Sequence, residues 1–282
     1  MKLHNENAEL FIPDGEPLSA AMARTDYLAI SAHQDDLELM SSHAILECFG
    51  RSDKWYSAIV VTDGSGSPRV GIYENFTDDD MRAIRKKEQK KAAYIGEYGA
   101  VALLDYSSAE VKDSAKNTVK QELSGLIEAA RPEVIYTHNP ADKHPTHIAV
   151  AIRVVQAIRE LPKAARPKKL IGLEVWRSLD WLNDEEKLMF FSDGHENIEM
   201  ALMGVFDSQI AGGKRYDLAA QGRRTANATL FEFNDIDKAS SASIGIDMTP
   251  LIENDDLCPE EFILAYIKRF SDNVAESIRK LI

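Results

Sequence analysis

The sequence predicts an α/β fold: a mostly parallel sheet with helices on both faces, followed by a C-terminal helical elaboration. Three observations predict it. Short β-branched or apolar runs alternate with longer amphipathic stretches between about residues 26 and 180. Each short run stops abruptly at polar or turn-forming residues, and strands joined through helices pair in parallel. Beyond Trp181 the alternation gives way to mainly helical patterning.

The elements follow in order. After a polar start containing Pro13 and Pro17, residues 26–33 (Asp-Tyr-Leu-Ala-Ile-Ser-Ala-His) form a short buried strand that ends at Gln34-Asp35-Asp36. An apolar helical stretch covers 37–48, and Gly50 closes it. Residues 56–62 are a second strand, ending in the turn Asp63-Gly64-Ser65-Gly66-Ser67-Pro68. A charged amphipathic helix over 78–95 stops at Gly96; a third strand covers 101–104, and a helix over 116–130 stops near Pro132. The fourth strand, 134–137, runs straight into the polar residues 138–145, and a helix opens at Thr146 and extends to about residue 161. The fifth strand is 170–176. Helices are expected over 196–210 and 259–282, with one further strand at 229–233. Residues 234–256 carry the weakest pattern and read as a loop or an oligomer contact. No repeat or linker divides the chain, so a single domain over 1–282 is expected, with a core over about 26–180 and the elaboration over 181–282.

The totals exclude several classes. A formal charge of -13 argues against nucleic acid or an anionic membrane as partner, since both need positive surface. No apolar run approaches the ~20 residues that span a bilayer, and residues 1–7 lack a secretory pattern, so a cytoplasmic location is expected. Cys48 and Cys258 lie far apart without metal-type spacing and read as reduced thiols packed as small apolar groups. The C-terminal helices and the 234–256 segment are the expected contacts of any homo-oligomer.

In open parallel sheets ligands bind outside the carboxyl ends of the strands. The polar clusters of this chain sit there. His33, Asp35 and Asp36 follow the first strand, Asp63 to Arg69 the second, Asp105 the third, and His138, Asp142, His144 and His147 the fourth. Four of the seven histidines therefore fall in two strand-end loops. A histidine at a strand terminus and a carboxylate three residues later can present both side chains to one point. A second histidine from another strand end completes two imidazoles and one carboxylate, which leaves an open position for water, as catalytic metal sites do. Asp35 and Asp36 would each also suit a helix N-terminus, and His144 and His147 could cap the next helix. The coincidence of both clusters at two ends of one sheet favours the metal. His4 and His195 lie outside the clusters and read as surface residues; His43 reads as packed in the core.

Ala32-His33-Gln34-Asp35-Asp36, together with His138-x-x-x-Asp142-x-His144-x-x-His147, resembles the LmbE-like, or PIG-L, family of metal-dependent deacetylases. The family signature is Ala-His-Pro-Asp-Asp followed by His-x-x-x-Asp-x-His-x-x-His, and the second half matches at every specified position. The resemblance implies a Rossmann-like fold and removal of an N-acetyl group from an N-acetylglucosamine conjugate or related amide. It makes His33, Asp36 and His147 ligands of zinc, with ferrous iron the other metal such a mixed site accepts. It makes Asp35 the general base that activates water, His144 the acid or electrostatic stabiliser of the tetrahedral intermediate, and Asp142 a carboxylate that orients a histidine. Weaker similarities at Arg85-x-x-Glu88 and Asp105 imply substrate contacts from Arg85 and Asp105, each of which could instead be a paired surface charge or a cap. Ser208-Gln209 and Gly222-Arg223-Arg224 are further landmarks, and the similarity spans roughly 26–230. Gln34 stands where the signature has proline, Thr146 where many members have an acid, and Phe206 where relatives often have histidine. Two rivals remain at this level. His33-x-Asp35 with a distant histidine mimics the iron triad of non-haem oxygenases. A non-catalytic sugar- or metal-binding relative would keep the site but has no use for Asp35 and His144.

Overall fold

The computed structural model describes residues 2–234 and 236–282. Twenty regular elements appear in the order β1 (Glu9–Phe11), α1 (Leu18–Ala23), β2 (Tyr27–Ser31), α2 (Asp36–Met40), α3 (Ser42–Cys48), β3 (Tyr56–Thr62), α4 (Asp78–Ile95), β4 (Val101–Tyr106), α5 (Ser108–Lys112), α6 (Thr118–Ala130), β5 (Val134–His138), α7 (Pro145–Glu160), β6 (Lys169–Leu173), β7 (Leu188–Phe191), α8 (Glu196–Gly204), α9 (Asp207–Ile210), α10 (Tyr216–Thr229), β8 (Ala242–Asp247), α11 (Pro250–Glu253) and α12 (Pro259–Arg279), besides three short 3-10 turns.

All eight strands join one sheet in the order β1-β4-β3-β2-β5-β6-β8-β7. The five inner strands from β4 to β6 run parallel, and β1, β8 and β7 add antiparallel edges. β3 is buried along its whole length, which is why its sequence reads as an unbroken apolar run rather than an alternation. Alternate side chains feed two cores: Leu28 and Ile30 enter the one packed by α6 and α7, whereas Ala29 faces the other, with Leu37, Ile45 and Ala92. The α4 N-terminus is fixed by a capping box, Thr77 accepting from Asp80 N while the Asp80 carboxylate accepts from Thr77 N.

Successive strands β2, β3 and β4 proceed one way from the centre and β5 and β6 the other. The order therefore reverses between β2 and β5, and their register (Ile30 opposite Thr137) brings both carboxyl ends level. A crevice opens at such a reversal because the two crossover helices leave on opposite faces.

Several expectations need correction. The stretch 229–233 is not a strand: Thr229 ends α10, and the real strands are β7 and β8. β8 lies inside the 234–256 segment expected as a loop or an oligomer contact, of which residue 235 lies outside the described residues. Its alternation (Ala-Ser-Ile-Gly-Ile-Asp) is masked in sequence by small residues, and Gly245 is small because a Cβ would press on Phe190, Ile171 and Leu173. The elaboration is thus part of the sheet and not only helical. The expected helices 37–48 and 196–210 are each broken in two. Cys48 is buried, but Cys258 is exposed.

Candidate active site at the β2/β5 crevice

β2 and β5 deliver the two motif segments to one point. His33 Nδ1, Asp36 Oδ2 and His147 Nε2 lie 3.2, 3.2 and 3.3 Å from one another. Asp36 opens α2 and also accepts from the His33 backbone N–H at 2.7 Å, so the turn that ends β2 holds its own carboxylate in place. His147 sits one turn into α7, fully buried. Its Nδ1 faces Asp142 Oδ2 at 3.4 Å, and Asp142 is itself held by the backbone N–H groups of His144 and Trp176. That second contact leaves Nε2 free to face the cluster. Burial works to raise the Asp36 carboxyl, but His147, His138 and His33 overcome it and hold Asp36 well below the ordinary range. Burial depresses His33 and His147, favouring the neutral imidazoles that a cation needs.

Asp35 is separate from this triangle. Its backbone adopts φ of +88°, a left-handed conformation rare outside glycine, which reverses the chain between strand and helix and turns its carboxylate the other way. Asp35 Oδ2 lies 3.4 Å from the Arg85 guanidinium and has no hydrogen-bond partner among the described residues. Burial pushes this carboxyl well above its ordinary value, against the pull of Arg85. The iron-oxygenase ligand set is therefore not the one assembled: Asp36, and not Asp35, groups with the histidines.

His144 caps α7, its Nδ1 accepting from Thr146 N at 3.3 Å, which places the ring proton on Nε2. The ring stacks on His147 (centroids 4.5 Å apart) and meets His33 edge-on at 5.0 Å. Burial, then the neighbouring His147, lowers His144 to about 4. A cavity of about 560 Å³ opens over these groups, lined among others by Asp35, Asp36, Arg85, His144, Trp176, Gln209, Lys214 and Tyr216.

The expected substrate residues divide. Arg85 reaches the cavity, but its guanidinium is already committed to Asp35, the Gln34 carbonyl and Ser67 Oγ. Asp105 does not line the cavity, although Ser107 and Ser108 just after it do: Lys86 Nζ holds its carboxylate at 2.7 Å, with Arg82 at 3.7 Å. Gln34 offers no amide to the cavity either. It is fully buried, and its Nε2 donates to the Thr62 carbonyl at 3.0 Å, tying the end of β2 to the end of β3. Gly64 is required beside it, with φ of +69° and no room for a Cβ against Gln34 and Arg85. His43 is buried in the core, stacked on Phe190, whereas His4 and His195 are exposed.

Other contributors carried no readable role in sequence. His138 accepts from Ala32 N at 2.8 Å and stacks on His147 at 3.9 Å, so it props the buried ring. α4 presents Gln89, whose Oε1 accepts from Asp35 N and whose Nε2 donates to Glu38, and Glu88, which accepts from both the N–H and the hydroxyl of Ser208. Trp176 and Tyr216 form an aromatic wall, their rings edge-to-face at 6.1 Å. Only the helical period of Arg85, Glu88 and Gln89, three charged or polar residues on one inward face, could have signalled the α4 set.

A family model described as GlcNAc-PI de-N-acetylase, PIG-L, matches residues 28–158. A curated relative from Escherichia coli (strain K12), the uncharacterized deacetylase YaiS, is 27% identical over 150 residues, 53% of this chain and 77% of that protein. Among solved structures, the N,N'-diacetylchitobiose deacetylase of Pyrococcus horikoshii superposes with a TM-score of 0.64 at 13% identity, covering 86% of this chain and 90% of that one. The 4-carboxy-2-hydroxymuconate hydratase GalB of Pseudomonas putida KT2440 superposes with a TM-score of 0.63 at 15% identity, covering 79% and 96%. These two share the fold. The matched span holds both motif segments and the crevice between them, and over residues 28–158 the chain matches the PIG-L (LmbE-like) deacetylase domain.

Proposed function

We propose that the chain, acting as one domain, is a metal-dependent hydrolase that removes the N-acetyl group of an amino-sugar conjugate such as an N-acetylglucosamine derivative. The observation that carries this reading is the separation of the two adjacent aspartates, Asp36 facing the histidines and Asp35 facing Arg85 and the cavity. The fold alone does not select the reaction, since a hydratase shares it.

The donor set fits a divalent cation. Ligands of a tetrahedral zinc site, each ~2.0–2.1 Å from the ion, lie about 3.3–3.4 Å from one another. The three donor atoms of His33, Asp36 and His147 already have that spacing. Two imidazoles and a carboxylate suit zinc and also ferrous iron. When bound, the metal would supply Lewis acidity, polarising the acyl carbonyl and easing deprotonation of water.

The chain's own groups do the rest. Asp35, buried and with no hydrogen bond at Oδ2 among the described residues, takes a proton from the attacking water as the new C–O bond forms. His144, with its proton on Nε2, donates to the carbonyl oxygen as negative charge develops there. Collapse breaks the C–N bond, the proton held by Asp35 passes to the departing amine, and acetate and a free amine result. Asp142 keeps the His147 ring oriented, Arg85 keeps Asp35 in place, and the Trp176–Tyr216 wall offers apolar faces to a sugar ring.

Metal analysis combined with amine release from a panel of N-acetylated sugar conjugates tests the proposal. Asp35→Asn should keep the metal and lose about 10²–10⁴ in turnover. Asparagine is the apt replacement because it tolerates the left-handed backbone that position 35 adopts. Loss of metal from this variant, or full metal content after Asp36→Ala, would overturn the assignment.

A further inference from the structure

Tyr216 opens α10 and lies beyond the residues that the family model matches. One face of α10 is turned inward at four-residue spacing, with Ala220, Arg224 and Ala228 buried. Arg224 docks that face by donating to the Glu38 and Leu39 carbonyls of α2, and Asn227 does so by donating to Glu174 and the Ala242 carbonyl. Tyr216 continues the same row, so the docking of α10 delivers it to the cavity that Asp35 and Asp36 also line. Trp176 supports its ring edge-to-face at 6.1 Å and meets His144 at 6.2 Å. His144 and Tyr216 thus both line the cavity and both pack on one indole.

Packing accounts for an aromatic ring at this position but not for its hydroxyl. Tyr73 donates to Asp207, Tyr98 to Glu38 and Tyr106 to Glu122, whereas Tyr216 Oη has no hydrogen-bond partner among the described residues and touches the open cavity. Burial, then the charges of Asp35 and Asp36, push this hydroxyl above its ordinary value, with Arg85 opposing, which sets Oη close to the groups that the hydrolysis employs. A phenol keeps its proton at neutral pH and can donate it in a hydrogen bond. The carbonyl oxygen of an uncleaved amide is a neutral acceptor, but it turns anionic once water adds to its carbon. Hydrogen bonds to an ionised acceptor are roughly twice as strong as neutral ones. A donor held at the cavity wall therefore favours the state in which that charge has formed.

We propose that Tyr216 is a further catalytic residue, its hydroxyl donating a hydrogen bond, alongside His144, to the oxygen that becomes negative when water adds to the acyl carbon. The identity of that oxygen rests on the hydrolase reading above. Tyr216→Phe is the test, because it keeps the ring against Trp176 and removes only the donor. Metal content and the thermal midpoint should be unchanged, while kcat should fall roughly 10–100-fold with KM within about twofold. An unchanged kcat, whether KM rises or not, would overturn the proposal and leave Tyr216 as wall or as a contact to the uncleaved sugar. A second readout needs no turnover. Calorimetric titration of the metal-loaded chain with methylphosphonate, a tetrahedral anion of acetyl size, should give roughly 10–100-fold weaker binding to Tyr216→Phe than to the unaltered protein. Equal affinity for the two would also overturn the proposal. Should methylphosphonate depend on Tyr216 while the unaltered chain releases amine from no N-acetylated conjugate, the hydrolase reading falls. The assignment of the hydroxyl as donor to a tetrahedral anion in this cavity then stands.

Discussion

At position 34 a residue that departs from the family signature has acquired a structural task. Proline would restrict φ at the turn after β2; glutamine does not, but its side chain anchors the same turn to the Thr62 carbonyl of β3. Gln34→Ala should therefore destabilise the chain by about 1–3 kcal/mol, by removing a fully buried hydrogen bond and leaving space beside Gly64 and Arg85. The midpoint of urea unfolding measures this, and an unchanged midpoint would deny Gln34 the anchoring role. The same economy of space explains Asp35 and Asp36. Neighbouring aspartates share a sequence environment, yet a left-handed φ at the first sends their carboxylates to different partners. No pattern in the residues alone assigns those two directions.

At the scale of elements, α4 and α10 serve as braces for the short segments that carry the chemistry. α4 supplies Arg85 and Gln89 to the Asp35 turn and Glu88 to α9, while Arg224 of α10 donates to the carbonyls of Glu38 and Leu39 in α2. The C-terminal landmarks Ser208 and Arg224 thus fasten helices together. Ser208→Ala should cost about 1–3 kcal/mol in stability, because one carboxylate oxygen of buried Glu88 loses its hydroxyl donor. α3 carries a different liability. His43 is enclosed against Phe190 and Tyr136, neither ring nitrogen has a hydrogen-bond partner among the described residues, and burial lowers it from 6.5 to about 3. Its folded pKa is below the unfolded value, so the core accepts only the neutral ring. The unfolded chain takes up a proton as pH falls below about 6.5 and the folded chain does so only near 3. Stability is therefore unaffected above 6.5 and falls between 6.5 and 3, by an amount on the order of a few kcal/mol. His43→Phe should flatten that part of the curve relative to the unaltered protein, which thermal melts at a series of pH values would reveal.

At the scale of the whole molecule, the switch point concentrates buried ionisable groups in one crevice. Three histidines (His33, His138 and His147) and two aspartates (Asp36 and Asp142) grouped in this way are costly to enclose without a cation. Under the proposed function, metal removal should lower stability by linkage. At about a hundredfold excess of metal over its Kd the difference is ~2.7 kcal/mol, a Tm decrease of roughly 5–10 °C for a chain of this size. Differential scanning calorimetry with and without a chelator measures it, and in Asp36→Ala the chelator should have no effect. Among the described residues no helix is long and apolar enough to cross a membrane. The large net charge of -13 coexists with a cavity lined by three cationic residues, Arg85, Lys112 and Lys214, against three aspartates, Asp35, Asp36 and Asp63, so overall charge is a poor guide to what the crevice admits.

Much of this protein was legible in its residues. Periodicity located the five parallel strands, since a strand buried on both faces must be an unbroken apolar run, and chain order placed their polar ends together. The spacing His138-x-x-x-Asp142-x-His144-x-x-His147 specified one loop and one helical turn, short-range geometry that the backbone itself enforces. What the residues did not determine depends on distant contacts. β7 and β8 exist because they pair with each other and with β6, and small or polar residues suffice there once a neighbour supplies the hydrogen bonds. Asp105 was placed by its neighbours Lys86 and Arg82 on α4, 19 and 23 positions away, and not by the strand end it shares with the other clusters. The partners of Asp35, Gln34, Glu88 and His138 lie 28 to 120 positions away, and only the packed fold decides which of many available donors arrives.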